Sequence, residues 1–392
     1  MKILVICQYY YPEPFKVHDL CEALVSEGHE VDVITSFPNY PMGEIYEGYK
    51  NGGHKDEVIN GVNVHRVFTI GRKNGFLFRI ANYYAYSLAS TRYVSKIKKD
   101  YDIVFVYQLS PVLMAQGALK YKKKHNKKIL LYCLDLWPDS LTLGGVKKGG
   151  LIYNYFKKKS ERIYNSADKI LVSSKMFEQY FEEMFKIRDG KIDYLPQYAE
   201  DVFVPDSCVD NGALNITFAG NIGTTQSIET ILYAAQRLKA ENIRFNIYGD
   251  GSGLLNLKDL AENKLKLENV IFHGRIPIDQ VPGKYAESDG LIVTLSDNPV
   301  LSMSFPGKIQ TYMAAGKPII GAVNGEAAEI IKEAECGFCA NAEDVDGLVE
   351  CIKEFMISDK AQLGKNARKY YEKNFRKEDF INRLTEELEK LR

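Results

Sequence analysis

Lys308 stands in a run whose residue types invite an anion. The run is Ser304-Phe305-Pro306-Gly307-Lys308-Ile309-Gln310-Thr311-Tyr312-Met313-Ala314-Ala315-Gly316-Lys317-Pro318-Ile319-Ile320-Gly321. Pro306 suits a first helical turn, Gly316 and Pro318 end the helix, and a buried strand follows. A cation in the first turn opposes the helix dipole, and the nearest upstream acid is Asp297. A phosphate at that helix N-terminus would satisfy both Lys308 and the free backbone N–H groups. The alternative is an exposed lysine with no partner, since surface lysines are common. Further turns follow apolar, strand-like runs: Gly220-Asn221-Ile222-Gly223, Gly249-Asp250-Gly251-Ser252-Gly253, His273-Gly274-Arg275 and Asn324-Gly325-Glu326-Ala327-Ala328-Glu329. One glycine turn says little. Several on one sheet edge, with Lys308, make a phosphate cradle.

The first half carries a different constellation. Asp135-Leu136-Trp137-Pro138-Asp139-Ser140 follows a strand and so sits at the carboxyl edge of a sheet, where ligands bind in open α/β folds. It holds the only Trp of the chain, and a loop position favours binding over packing. His18 either contacts a ligand or is an ordinary helix-surface histidine. Asp344-Val345-Asp346 reads as a helix N-terminus, which leaves no DxD at a strand end. Cys336-Gly337-Phe338-Cys339 has CxxC spacing without a second pair, so two strand cysteines are expected and no metal site.

These residues need a scaffold, and the apolar periodicity supplies one. Strands are expected at Lys2–Cys7, Val31–Thr35, Val62–Val67, Asp102–Tyr107, Lys128–Cys133, Lys169–Val172 and Lys191–Leu195. Helices are expected at Lys16–Glu27, Phe76–Lys99, Pro111–Lys124, Leu151–Asn165 and Lys175–Phe185. The turn after the first strand lacks glycine, so the dinucleotide fingerprint is absent. Ser36–Asn60 reads as a long functional loop and Pro196–Gly212 as an interdomain linker. A second series begins at Leu214–Ala219 and ends in a charged helical tail, Lys360–Arg392. The expected division is an N-terminal Rossmann-like domain over 1–196, a C-terminal one over 197–375, and a final helix over 376–392 that returns to the first domain.

The 392 residues are too many for one ordinary core, and 45% hydrophobic with 26% charged is globular composition. No run matches a membrane span. The strand-like N-terminus is no signal peptide, and seven cysteines without a leader point to a reducing cytoplasm. The net charge of zero hides a split: residues 1–200 carry +7 and the remainder −7, while residues 66–162 hold 20 basic and 5 acidic side chains. Lys120–Lys128, Arg72, Lys73, Arg79, Lys147, Lys148 and Lys157–Lys159 form either a solvated face or a surface for anionic lipid headgroups. No nucleic-acid motif accompanies the charge, so nucleic acid is not expected as a partner.

Two doubly wound halves, a midpoint linker and a helical tail resemble a GT-B glycosyltransferase, with two α/β Rossmann-like domains facing across a cleft. Gly28-His29-Glu30-Val31 and Met313-Ala314-Ala315-Gly316-Lys317-Pro318 resemble signatures of glycosyltransferase family 4. Asp135–Ser140, Ser36-Phe37-Pro38-Asn39-Tyr40-Pro41 and Gly220–Gly223 are similar to the bacterial branch that includes L-fucosamine transferases of surface-polysaccharide synthesis. The resemblance implies a metal-independent, retaining transferase with no cofactor beyond a nucleotide-sugar donor, UDP-linked in that branch. It implies a donor site from Gly220, Asn221, Gly223, Gln226, Gly249, Gly251, Arg275, Pro306, Gly307, Lys308, Thr311 and Glu329. Lys308, Asp135 and Glu326 would be catalytic, and Glu13, Lys16, His18 and Trp137 would bind a lipid-linked or saccharide acceptor. The protein would lie in the cytoplasm, against the inner membrane through its basic N-terminal domain. Three departures stand out: the family's E-x7-E pair falls on Met303 and Thr311, Gln226 stands near the usual Lys, and the catalytic-loop His is missing, with Asp135 nearest. A GT-B nucleotide-sugar epimerase and a non-catalytic nucleotide-sugar-binding module at a membrane are the alternatives.

Overall fold

The computed structural model describes residues 1–72, 75–188, 190–205 and 212–392. Lys73, one of the basic residues noted above, and positions 206–211 of the linker lie outside the described residues. The chain forms two compact units, Met1–Leu195 with Ile381–Arg392, and Pro196–Phe380.

The first unit is built on an eight-stranded sheet: β1 (Lys2–Ile6), β2 (Glu30–Ser36), β3 (Asp56–Ile59), β4 (Val62–Val67), β5 (Ile103–Gln108), β6 (Ile129–Cys133), β7 (Lys169–Val172) and β8 (Ile192–Tyr194). The order is β3-β4-β2-β1-β5-β6-β7-β8, parallel except for the antiparallel β3–β4 pair. β5 and β6 are buried at every position, as expected of strands covered on both faces. The helix Leu151–Ser166 buries Tyr153, Phe156, Ser160, Ile163 and Tyr164, a helical stripe set against this sheet.

The second unit has six parallel strands: β9 (Leu214–Ala219), β10 (Ile243–Tyr248), β11 (Val270–Gly274), β12 (Gly290–Thr294), β13 (Ile319–Ala322) and β14 (Gly337–Ala340). Their order is β11-β10-β9-β12-β13-β14. The direction of winding therefore reverses between β1 and β5 in the first sheet and between β9 and β12 in the second. Ligands of doubly wound sheets gather at such reversals. The last helix, Lys377–Leu391, ends in the first unit: Arg383 Nη2 donates to the Tyr194 carbonyl at 2.7 Å, and Thr385 Oγ1 to Glu27 Oε2 at 2.8 Å.

The long loop expected over Ser36–Asn60 contains β3, which pairs with β4 across a tight Asn60-Gly61 turn with both residues at positive φ (47° and 83°). The expected helix Pro111–Lys124 begins as a 3₁₀ turn at Val112–Ala115 and becomes α-helical over Gln116–His125.

Candidate functional site

In the second unit the chain brings Gly220, Gln226 and Lys308 together at the carboxyl end of β9. The helix Gly307–Ala314 starts at Pro306, whose extended backbone (ψ 128°) makes it the cap residue. Gly316 ends this helix at φ +64°. Lys308 is half-buried. Its ammonium donates to Gln226 Oε1 and sits 4.0 Å from the centroid of the Phe218 ring. Neither partner is an anion. Burial accordingly pulls the Lys308 pKa from 10.5 down to about 7. The lysine is neither exposed nor paired with Asp297, which accepts a bond from Asn324 Nδ2 at 3.0 Å.

Gly220 is required by this lysine. A Cβ there would lie 2.4 Å from Lys308 Cε and 3.0 Å from Nζ. A Cβ on Gly249, at φ +141°, would lie 1.8 Å from the Gly220 carbonyl oxygen. The ends of β9 and β10 meet backbone to backbone: Gly220 N–H donates to the Tyr248 carbonyl and Ile222 N–H to the Asp250 carbonyl. The Asn221 side chain lies between Gly223 and Gly251. Thr311 Oγ1 donates to the Lys308 carbonyl at 2.8 Å, inside the helix. Arg275 is exposed just past β11. Glu326 is buried in the first turn of the next helix, Glu326–Glu333. Glu329 lines a groove along β14 with Lys332, Cys339 and Asp344. Asp344 caps its own helix through Gly347 N–H at 2.9 Å, and Cys336 and Cys339 are free thiols of the β14 segment. Among the described residues, no three His, Cys, Asp or Glu side chains group at metal-binding distance.

The first unit presents its own cluster past β1, β2, β4, β5 and β6. Glu13 is buried. Its Oε1 accepts the N–H groups of Asn39 (2.8 Å) and Tyr40 (2.7 Å), and its Oε2 that of Tyr10 (3.2 Å). Burial raises its pKa to about 7 despite these bonds. Glu13 therefore fastens the loop after β1 to the loop after β2. His18 Nδ1 lies 2.6 Å from the Phe15 carbonyl, and Lys16 precedes the helix Val17–Ser26. Burial also raises the pKa of Asp135, which Ser110 partly offsets by hydrogen bonding.

Trp137 corrects the sequence reading. It is 2% exposed, packs against Tyr83 and Phe156, and donates from Nε1 to Ser110 Oγ at 2.9 Å. An indole has too much apolar area to leave on a surface and one N–H to satisfy, and this loop provides for both. Trp137 is therefore a packed residue of the first unit, not an exposed loop residue. Asp139 is likewise structural, taking Tyr153 OH at 2.9 Å, Tyr180 OH at 2.5 Å and Lys148 Nζ at 2.7 Å.

Sequence reasoning did not single out Phe218, which hides in a buried strand, nor Tyr83 and Ser110; it placed Arg72 only on a basic face and Asn39 only in a motif. The latter four lie far apart in sequence and meet only through the sheet order.

Comparison with known proteins fits this geometry. Residues 17–197 match the family model described as Glycosyltransferase Family 4, and residues 207–374 the model described as Glycosyl transferases group 1. A glycosyltransferase named WbjE from Pseudomonas aeruginosa is 27% identical over 324 residues, covering 79% of each chain. The colanic acid biosynthesis glycosyl transferase WcaI of Escherichia coli (strain K12) is 23% identical, over 99% of this chain and all of its own. Among solved structures, sucrose-phosphate synthase from Thermosynechococcus elongatus superposes with a TM-score of 0.80 at 16% identity, covering 100% and 98% of the two chains. Anabaena HepE in complex with UDP and glucose gives 0.70 at 15%, covering 99% of each.

Proposed function

We propose a donor, an acceptor class and a stereochemical course for this chain, which by its two family matches and its fold is a glycosyltransferase of the GT-B type. The reading is transfer of a sugar from a UDP-sugar, with retention and without a metal, to a lipid-linked or saccharide acceptor in surface-polysaccharide synthesis. An N-acetylated deoxyhexosamine, as in the L-fucosamine transferases, is the donor sugar we favour.

The observation that carries this reading is Lys308. A half-buried ammonium whose partners are an amide oxygen and a phenyl face, lying over a glycine at a sheet reversal, is a cation held ready for an anion. As the bond to the sugar breaks, negative charge grows on the leaving diphosphate, and Lys308 with the N–H groups after Pro306 would stabilise it. The acceptor hydroxyl attacks from the same face, its proton passing to the leaving phosphate oxygen. UDP is supported by the HepE complex, and polysaccharide synthesis by the name of WcaI.

Thermal unfolding with UDP, GDP, dTDP and ADP tests the donor. The preferred nucleotide at one hundred times its Kd should add about 2.7 kcal/mol. Lys308→Ala should lower the transfer rate on the order of 10²-fold. An unchanged rate would remove Lys308 from the mechanism. Product analysis with donor alone separates transfer from epimerisation, and donor binding without turnover on any lipid-linked acceptor would favour the non-catalytic module.

A further inference from the structure

We infer that Arg72 is the anion-binding group of the acceptor site and takes a phosphoryl group of the acceptor. The inference rests on the transferase reading only for the word acceptor; the anion site itself stands on the geometry of the first unit.

A guanidinium has five N–H donors and no acceptor. In Arg72, Nη1 reaches Tyr9 OH at 3.5 Å and Nη2 reaches Tyr83 OH at 3.3 Å, both longer than a well-formed bond. That leaves Nε–H and one hydrogen on each terminal nitrogen without a protein acceptor among the described residues. The group lies 5.9 Å from the Tyr40 ring centroid and 5.8 Å from that of Tyr83. Among the described residues no carboxylate is ion-paired with it; Asp135 acts on it through space without touching it. Arg66, which enters the same region from β4, shows what a structural arginine looks like here. Its Nη1 donates to the His54 carbonyl at 3.0 Å and to Glu57, and its Nη2 to the Tyr11 carbonyl at 2.7 Å; its Nε lacks a partner, so the contrast with Arg72 lies in the terminal nitrogens and the ion pair.

The surroundings hold Arg72 in place for a ligand. Its backbone N–H donates to Asn39 Oδ1 at 3.1 Å. Asn39 is fixed in turn by Glu13, and Asn82 Nδ2 bonds the Ile70 carbonyl at 2.5 Å. The backbone of Arg72 is thus fixed, while its guanidinium donors remain largely unspent. The planar fork fits phosphate oxygens bidentately, with the buried Tyr9 and Tyr83 behind it and the half-buried Tyr40 ring beside it. Asp135 and Arg72 would then act on the acceptor together, Arg72 on its phosphate and Asp135 on a hydroxyl.

Calorimetric titration of the full chain with inorganic pyrophosphate, under saturating UDP and again in a Lys308→Ala background, tests the site apart from the donor cradle. The wild-type chain should bind one pyrophosphate, Arg72→Met should weaken it at least tenfold, and Arg72→Lys should fall between. Tyr83→Phe, which removes only a hydroxyl, should weaken binding a few-fold and guards against misfolding of the Arg72 variants. Tighter binding of farnesyl diphosphate than of pyrophosphate assigns the site to a lipid-linked acceptor, and equal binding to a free phosphate; either supports the anion site. Absence of pyrophosphate binding, or affinity unchanged in folded Arg72→Met, overturns it. Failure of UDP to bind, seen in its own titration, would sink the donor reading and leave this one standing.

Discussion

An ammonium taken out of water with no anion beside it holds its proton loosely, even where a phenyl ring and an amide oxygen face it. The Lys308 pKa near 7, against 10.5 in the unfolded chain, means that the unfolded state binds more protons between those values. Stability should therefore climb with pH from about 7 to 10.5, and below 7 the full cost of the buried cation is present. Lys308→Met should unfold at a higher temperature than the wild type at pH 6, with the gap closing toward pH 10, while UDP binding collapses. A variant no more stable at pH 6 would show that the ammonium is better solvated than its neighbours suggest. UDP binding at pH 8 should draw a proton onto Lys308, read as a buffer-dependent heat. Glu13 has the opposite slope. Its folded pKa of about 7 lies above the ordinary 4.5, so the native state binds the extra proton, and stability falls as pH rises between those values. Glu13→Gln should remove that fall from the difference profile measured between pH 4.5 and 7.5. A persistent fall would assign it to another group.

Elements set which of these residues meet. β9 and β10 end so close together that Gly249 has no room for a side chain, and Lys308 fills the space beside Gly220. Gly220→Ala should strain a backbone held at φ +153° and so lower the melting temperature, while it also displaces the far end of Lys308 and lowers UDP affinity at least tenfold. Retained affinity, measured by titration, would separate the glycine from the lysine. The alternating strand–helix order of both units was legible because buried parallel strands read as apolar runs and their helices as stripes. Lys308 was legible as a cation in the wrong turn for the helix dipole. β3 was not, since Asp56-Glu57-Val58-Ile59 is a short, half-polar edge strand, although Asn60-Gly61 carried a hairpin signal. Trp137 misled because its loop folds back into the core. Arg72 was read only as surface charge, because its tyrosines arrive from the loops after β1 and β2 and from the helix Phe76–Lys96, and sequence spacing carries no trace of that meeting.

At the scale of the molecule, the charge split has a place to act. On the helix Phe76–Lys96, Leu77, Ala81, Tyr84, Leu88 and Arg92 follow one helical face, and Leu77 and Leu88 are 79% and 68% exposed. Tyr84 OH bonds Tyr155 OH at 2.7 Å, which sets beside this face the start of the helix Leu151–Ser166, where Leu151 is 92% exposed. Residues 76–96 and 147–162 hold nine Lys or Arg and one acid, Glu161. Two copies meeting through this face would press like charges together, whereas a bilayer offers an apolar interior to the leucines and anionic headgroups to the lysines. We propose that this face meets a bilayer surface; among the described residues no helix is long and apolar enough to cross a membrane. The chain should sediment with phosphatidylcholine vesicles only when phosphatidylglycerol is added. At about 1 kcal/mol per lysine near the surface, Lys157→Glu/Lys158→Glu/Lys159→Glu should weaken low-salt binding on the order of a hundredfold. Leu77→Ser/Leu88→Ser/Leu151→Ser, all at exposed positions, should weaken it about tenfold with circular dichroism unchanged. Equal binding to neutral vesicles, or none to either, would leave the basic face solvated and send the acceptor to the enzyme through water.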